Sequence, residues 1–400
     1  MSAPLQGEIV TPTFEIDIFQ TGYEQLCRAV DEAIVRTDAQ VVLTGMEPSS
    51  HYFENLARHL NERPQPVTLI NSFAVKKNRG QQMMQYEKDD EIDTAAIGDL
   101  LRRGEGTPFN PPTGIYLQLQ HLDRVRISKV KIRTMLQNQI IGHLDRILPS
   151  LVIIGDEAKD RYEPLFATDL WDCQTMQHLI RVCPDPRRLA VMSPHDLIEA
   201  FHAHDYRMGP VTAARIIVYA QKVLLPDPEL VAIRCQLLPH DLALLEEVEH
   251  HIAQLEDDLR ALLTETPYQV WTKLKGLSDI QVVSLAAAIG DPANYKYAAQ
   301  VFRRSGLVPG RNDSGTRQRK GKGKHVVKVG DVYLHRALMN ALATLLLHQP
   351  VLREYCNKLK VSKPAGVARV ATARRAIGIL WAILRDQRSE TLILKQGAKM

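Results

Sequence analysis

The stretch VVLTGMEPSSHYFENLARHL (residues 41–60) passes within a few residues from an unbroken apolar run to a helical pattern. VVLTGME (41–47) has the composition of a buried strand. HYFENLARHLNE (51–62) spaces Phe53, Leu56, Ala57 and Leu60 three and four apart, as one face of a helix requires. A strand feeding directly into a helix is a building unit of a layered α/β fold. The flanks extend the pattern: FEIDIF (14–19) alternates with period two and predicts a first strand, and TGYEQLCRAVDEAIV (21–35) predicts a helix. VTLINSF (67–73) predicts a third strand and DTAAIGDLLRRG (93–104) a helix closed by Gly104. Strands and helices in alternation imply a mixed sheet with at least one parallel pair.

Beyond the Pro-rich joint TPFNPPTG (107–114) the pattern changes to α-helix almost without interruption up to residue 265. LQHLDRVRISKVKIRTMLQNQIIGHLDRIL (119–148) is one long amphipathic stretch. Leu245, Val248, Ile252, Leu255, Leu259 and Leu262 step by three and four, which fits a short coiled coil over 242–263, a helical hairpin offering a self-association seam, or a surface helix of a bundle. WTKLKGLSDIQVVSLAAAIGDPANY (271–295) gives helix, tight turn at Gly276 and helix. Such a helix-hairpin-helix-like turn can grip a nucleic-acid backbone without reading sequence. The apolar helix VYLHRALMNALATLLLH (332–348) and a basic helix around VARVATARRAIGIL (367–380) follow. The expected division is an α/β domain over 1–106, a helical middle region over 107–265 and a helical C-terminal domain over 266–400.

With 45% hydrophobic and 24% charged residues the chain is globular in composition. No apolar run is long enough to cross a bilayer and the N-terminus has no secretory pattern, so a cytoplasmic protein without a membrane partner is expected. The five cysteines form no C-x-x-C pair, which argues against a zinc ribbon or a disulfide framework. His202 and His204 have no further ligands nearby in sequence to suggest a metal. The formal net charge is only +4, but its distribution is uneven. From Phe302 to Lys328 nine Lys or Arg (Arg303, Arg304, Arg311, Arg317, Arg319, Lys320, Lys322, Lys324 and Lys328) face one acid, Asp313. That segment carries +8, leaving −4 for the rest of the chain. A basic patch on a slightly acidic body is the footprint of a phosphate-binding surface.

Two groups of residues can carry chemistry. Glu47 falls at the carboxyl end of its strand, and Asp90 and Asp93 are three apart at the start of a helix, hence on one face. Asp89 would break that spacing. Carboxylates converging from a strand end and a helix face suit Mg²⁺ bound to phosphate, although acids also favour a helix N-terminus for purely electrostatic reasons. Ser314 sits in the basic segment, where Arg311, Arg317 and Arg319 would stabilise charge on a phosphodiester under attack. A serine before a glycine is also an ordinary turn.

GMEPSSHYFENLARHL, LINSFAVKKNRG and YEKDDEIDTAAIGDLLRRG together resemble the N-terminal half of the DEDD-type insertion-sequence transposases, the bridge-RNA-guided recombinases. LKGLSDIQVVSLAAAIGDPANYKYAAQVFRRSGLVPGRNDSGTRQRKGKGKH with VGDVYLHRALMNALA resembles their C-terminal transposase domain. The matches cover 14–104 and 270–348, in the family's order. The resemblance implies a RuvC or RNase H-like first domain binding divalent metal through four acids, of which Glu47, Asp90 and Asp93 match three, and a serine nucleophile matching Ser314. It implies double-stranded DNA, a noncoding guide RNA and further copies of the chain as partners. The family's first acid lies on a strand ahead of the segment that FEIDIFQTGYEQL resembles, so an N-terminally truncated sheet is expected, with Asp17 a poor substitute. Two other readings remain open: a Holliday-junction-type nuclease, and an inactive remnant that only binds nucleic acid.

Overall fold

The computed structural model describes residues 10–48, 51–63, 66–82, 90–148, 152–156, 161–166, 168–307 and 330–386. They divide into two units, Met1–Pro112 and Thr113–Met400. The architecture is α/β followed by α, mostly helical with a small mixed sheet.

In the first unit, α1 (Gln20–Thr37), α2 (Tyr52–Asn61), α3 (Ser72–Gln82) and α4 (Asp90–Arg102) accompany three short strands, β1 (Thr44–Met46), β2 (Val67–Leu69) and β3 (Thr107–Pro108). The order is β1-β2-β3. β1 and β2 are parallel, with Gly45 opposite Thr68, and β3 joins β2 antiparallel. The strand expected at 14–19 does not form. Asp17 Oδ1 instead accepts the N–H groups of Phe19 (2.9 Å) and Gly22 (3.1 Å), turning the chain into α1, and Ile18 is left 97% exposed with no sheet to lie on. The strand expected to run to residue 73 ends at Leu69, because Asn71 Oδ1 accepts the Phe73 N–H (2.8 Å) and starts α3. Gly104, at φ +72°, ends α4 as expected.

The second unit is organised by two long helices, α5 (Gly114–Ile147) and, after α6 (Gln174–Val182), α7 (Pro186–Val191), α8 (Pro194–His202) and α9 (Pro210–Lys222), α10 (Pro228–Thr264). At 34 and 37 residues they are each about 50 Å long. Arg126 meets Glu256 (3.4 Å) and Gln139 meets Asp241 (3.0 Å), so rising numbers on one pair with falling numbers on the other and the helices are antiparallel. Leu245, Ile252, Leu255 and Leu259 are therefore buried within the chain. The seam read as a coiled coil or self-association element is covered in cis by α5. A β-hairpin of β4 (Val152–Asp156) and β5 (Arg161–Pro164) interrupts a region expected to be all helix.

Two cores share this pair of helices. One gathers Leu189, Leu197, Phe201 and Ile216 of α7–α9 against Ile140 and Leu238. The other surrounds α11 (Asp279–Ile289), whose residues 285–289 are all buried, with the 3₁₀ segment Pro267–Lys273 ahead of it. α12 (Ala298–Arg304), α13 (Val332–His348), α14 (Pro350–Ser362) and α15 (Ala365–Asp386) complete it. Trp271, fully buried, donates Nε1–H to the Leu380 carbonyl of α15 (2.8 Å), so a polar atom in the core is satisfied.

Candidate functional site

The acids come first. Glu47 directly follows β1 and is half-buried. α4 lies across β1: a Cβ built on Gly45 would sit 3.0 Å from both Ile97 Cγ2 and Leu101 Cδ2, so glycine lets the helix approach. Asp93 is one turn before Ile97 on the same helical face, and Asp90 shares the first turn of α4. Asp90 is exposed. Asp93 is not free, because its Oδ1 accepts from Arg79 Nη1 of α3 at 2.7 Å, with the two side chains only 18% and 12% exposed.

Deeper between α3 and α4, the buried Asn78 donates to the Ala96 carbonyl (3.2 Å) and to Asp99 Oδ2 (3.0 Å), and its Oδ1 accepts from Arg103 (2.9 Å). Asp99 is also paired with Arg103 itself. This network locks the face of α4 that presents Asp93. Glu47, Asp90 and Asp93 are not drawn into one cluster. Among the described residues, the His, Asp and Glu side chains whose ligand atoms gather within 4.8 Å are His195, Asp196 and Glu199. Those three are exposed, and Asp196 is engaged in a capping box with Ser193 (2.9 and 3.2 Å). The bonds from Ser193 hold the Asp196 carboxyl below its usual pKa. The carboxylate oxygens of Glu47, Asp90 and Asp93 are of the hard type a divalent cation takes, but here they stand apart from one another and Asp93 is paired with Arg79. Arg79 supplies positive charge at Asp93.

Ser314, Arg311, Arg317, Arg319, Lys320, Lys322 and Lys324 lie outside the described residues. The segment's two feet are described. Arg303 is exposed at the end of α12. Arg304 turns inward, its Nη1 donating to the Ile289 carbonyl (3.1 Å) and to Tyr295 Oη, and its Nη2 pairing with Asp331 Oδ2 (2.9 Å). The Asp331 N–H returns a bond to the Arg304 carbonyl (2.8 Å), while Asp331 Oδ1 caps α13 through the N–H groups of Tyr333 (3.0 Å) and Leu334 (3.1 Å). Burial alone would lower the Arg304 pKa, but Tyr295 and Asp331 raise it above the ordinary value and the guanidinium stays charged. A Cβ on Gly330 would fall 2.4 Å from the Gly306 nitrogen, so the outgoing and returning chains touch. Arg304 is thus a clasp at the base of the basic segment.

The turn at Gly276 is also committed internally. Its φ is +102°, a Cβ there would lie 2.9 Å from His348 Cβ, and Gln349 Nε2 donates to the Lys275 carbonyl (2.7 Å). The turn packs on the end of α13, and the element before it is a 3₁₀ segment rather than an α-helix. Arg79, Asn78 and Asp331 were not legible as partners, because nothing in their local spacing singles them out.

Among the described residues no helix is long and apolar enough to cross a membrane. The DEDD transposase model of the IS110 type matches residues 7–149, and the transposase model of the IS116/IS110/IS902 family matches residues 268–357. An insertion element IS116 uncharacterized 44.8 kDa protein of Streptomyces clavuligerus is 25% identical over 305 residues, 75% of this chain and 72% of that protein. A probable family 20 transposase of Pseudomonas aeruginosa is 31% identical over 153 residues, 35% of this chain and 42% of that protein. The first match carries Glu47, Asp90 and Asp93, the second carries Ser314, and they stand in one chain in that order: the chain belongs to the IS110-type family of DEDD transposases.

Proposed function

We propose that this chain cuts and rejoins the DNA of an insertion element through Ser314, with Glu47, Asp90 and Asp93 as the acidic cluster. In this reading the Ser314 hydroxyl oxygen attacks a phosphodiester phosphorus. The hydroxyl gives up its proton as the serine–phosphate ester forms, the bond from phosphorus to one sugar oxygen breaks, that oxygen leaves and takes up a proton, and the ester energy is kept for the rejoining step. Arg311, Arg317 and Arg319 stabilise the pentacovalent phosphate, and Arg303 with Lys320, Lys322 and Lys324 holds the backbone. Glu47, Asp90 and Asp93 would hold Mg²⁺, which would supply positive charge at the phosphate. Arg79 orients the Asp93 carboxylate on α4. The first unit is read as a RuvC-like layer, supported by the parallel β1–β2 pair with α4 across it. A guide RNA, double-stranded DNA and further copies of the chain are the partners this reading carries.

The observation that carries the proposal is the placing of both family matches, acids in one and serine in the other, on a single chain. The test is Ser314→Ala with donor and target DNA, guide RNA and Mg²⁺. Loss of a covalent protein–DNA adduct and of strand exchange, with nucleic-acid binding kept, is the expected result. Undiminished cleavage by the variant would instead identify a metal-dependent nuclease, and binding without any cleavage by the wild type would identify an inactive binder.

A further inference from the structure

A cleft of about 190 Å³ opens between α5 and α13, with α11 as its floor. Asp123, Arg126, Val130 and Lys131 line one wall, at spacings that put them on one face of α5. Tyr333, Arg336 and Asn340 line the other, likewise on one face of α13. The floor is closed by a buried polar knot. Ser284 Oγ donates to Asp123 Oδ1 (3.0 Å) and accepts from Arg126 (3.2 Å), while Arg126 Nε also binds Asp123 (3.0 Å).

The charges do not balance. The lining holds three cations (Arg126, Lys131 and Arg336) and one acid, Asp123, a surplus of two positive charges. Arg126 is already shared between Asp123 and Glu256. Arg336 lies near enough to Asp123 for its charge to favour that carboxylate, but among the described residues neither it nor the exposed Lys131 is held in a side-chain hydrogen bond or close ion pair. Two cations on facing helices above a satisfied floor call for an anion from outside. The volume is below the ~300 Å³ at which pockets for small organic ligands begin. It suits a single tetrahedral oxyanion, with Asn340 available as a neutral donor at the rim.

We propose that this cleft binds a phosphodiester group of a nucleic-acid backbone, with Arg336 and Lys131 as its two neutralising cations. The inference rests on the transposase reading for the identity of its polymer, and it deepens that reading by placing a backbone contact away from the basic segment. Tyr333 is in the cleft wall two residues beyond Asp331, so a chain bound here runs beside the foot from which the Ser314 segment returns.

The test is the salt dependence of binding of a 20-base-pair duplex DNA and of a 20-nucleotide single-stranded RNA to the full chain. The variants are Arg336→Ala with Lys131→Ala, and Lys358→Ala with Lys360→Ala, two exposed lysines of α14, as a control for charge removal. Thermal melts establish that each variant is folded. The cleft variant should lower the log–log salt slope by about 1.8 for duplex or about 1.4 for the single strand, and the control should leave it unchanged. The polymer whose slope falls is the one that enters the cleft. An unchanged slope with both polymers, or an equal fall in the control, overturns the cleft assignment while Ser314→Ala still decides strand exchange. If the wild type binds neither polymer, the cleft and the transposase reading fall together.

Discussion

Asp331 performs two tasks whose energies can be separated. Its Oδ1 caps α13 and its Oδ2 pairs with Arg304. Asp331→Ala removes both. The lost cap costs about 1 kcal/mol. The Arg304 side chain is 39% exposed, so its ion pair is screened and adds only about 0.5–1 kcal/mol. The expected total is about 2 kcal/mol, read as a lower urea midpoint at unchanged slope. Asp331→Asn keeps an N-cap oxygen and loses only the charge, so it should cost about 0.5–1 kcal/mol. In an Arg304→Met background the Asn substitution should cost almost nothing further, because Arg304 is the pair's other half. Equal losses for Asp331→Ala and Asp331→Asn would refute the division of labour. A full cost for Asp331→Asn in the Arg304→Met background would refute the clasp itself.

Three further outcomes follow from the packing. Gly276→Ala should destabilise by more than about 1 kcal/mol in urea titration, since the residue sits at φ +102° with its missing Cβ against His348. Leu255→Ala should cost about 2–5 kcal/mol and leave the sedimentation mass unchanged, because the seam is filled by α5 of the same chain. Burial, opposed by Arg126 and Ser284, raises the Asp123 pKa. A raised carboxyl contributes stability that is complete below the unfolded pKa and is lost as pH rises through the folded one. The stability of Asp123→Asn relative to wild type should therefore rise with pH across that interval and be level on either side, as measured by urea titration from pH 3 to 8.

Periodicity made the helices legible because burial on one face leaves a record every three or four residues: 332–348 was read end to end, and α2 and α4 to within a few residues. Period two in FEIDIF left the same kind of record without the structure, because a strand needs a neighbour and Asp17 found N–H groups of α1 first. The hairpin at 152–164 was missed because two short strands leave too few repeats to stand out against helix on both sides. The leucine seam was seen, but its partner lies more than a hundred residues away in sequence. For the candidate site, the positions of Glu47 just after β1 and of Asp90 and Asp93 in the first turn of α4 were legible from strand end and helix start, whereas the pairing of Asp93 with Arg79 depends on how α3 docks on α4. Arg304 read as one more cation of a basic run. Only its neighbours Tyr295, Ile289 and Asp331 distinguish it from Arg303.

The touching glycines at 306 and 330, fastened by Arg304 and Asp331, give the second unit a socket. Arg304 ends α12 and Asp331 caps α13, so these two helices are joined at this base by their own termini and brace each other where the basic segment leaves and returns.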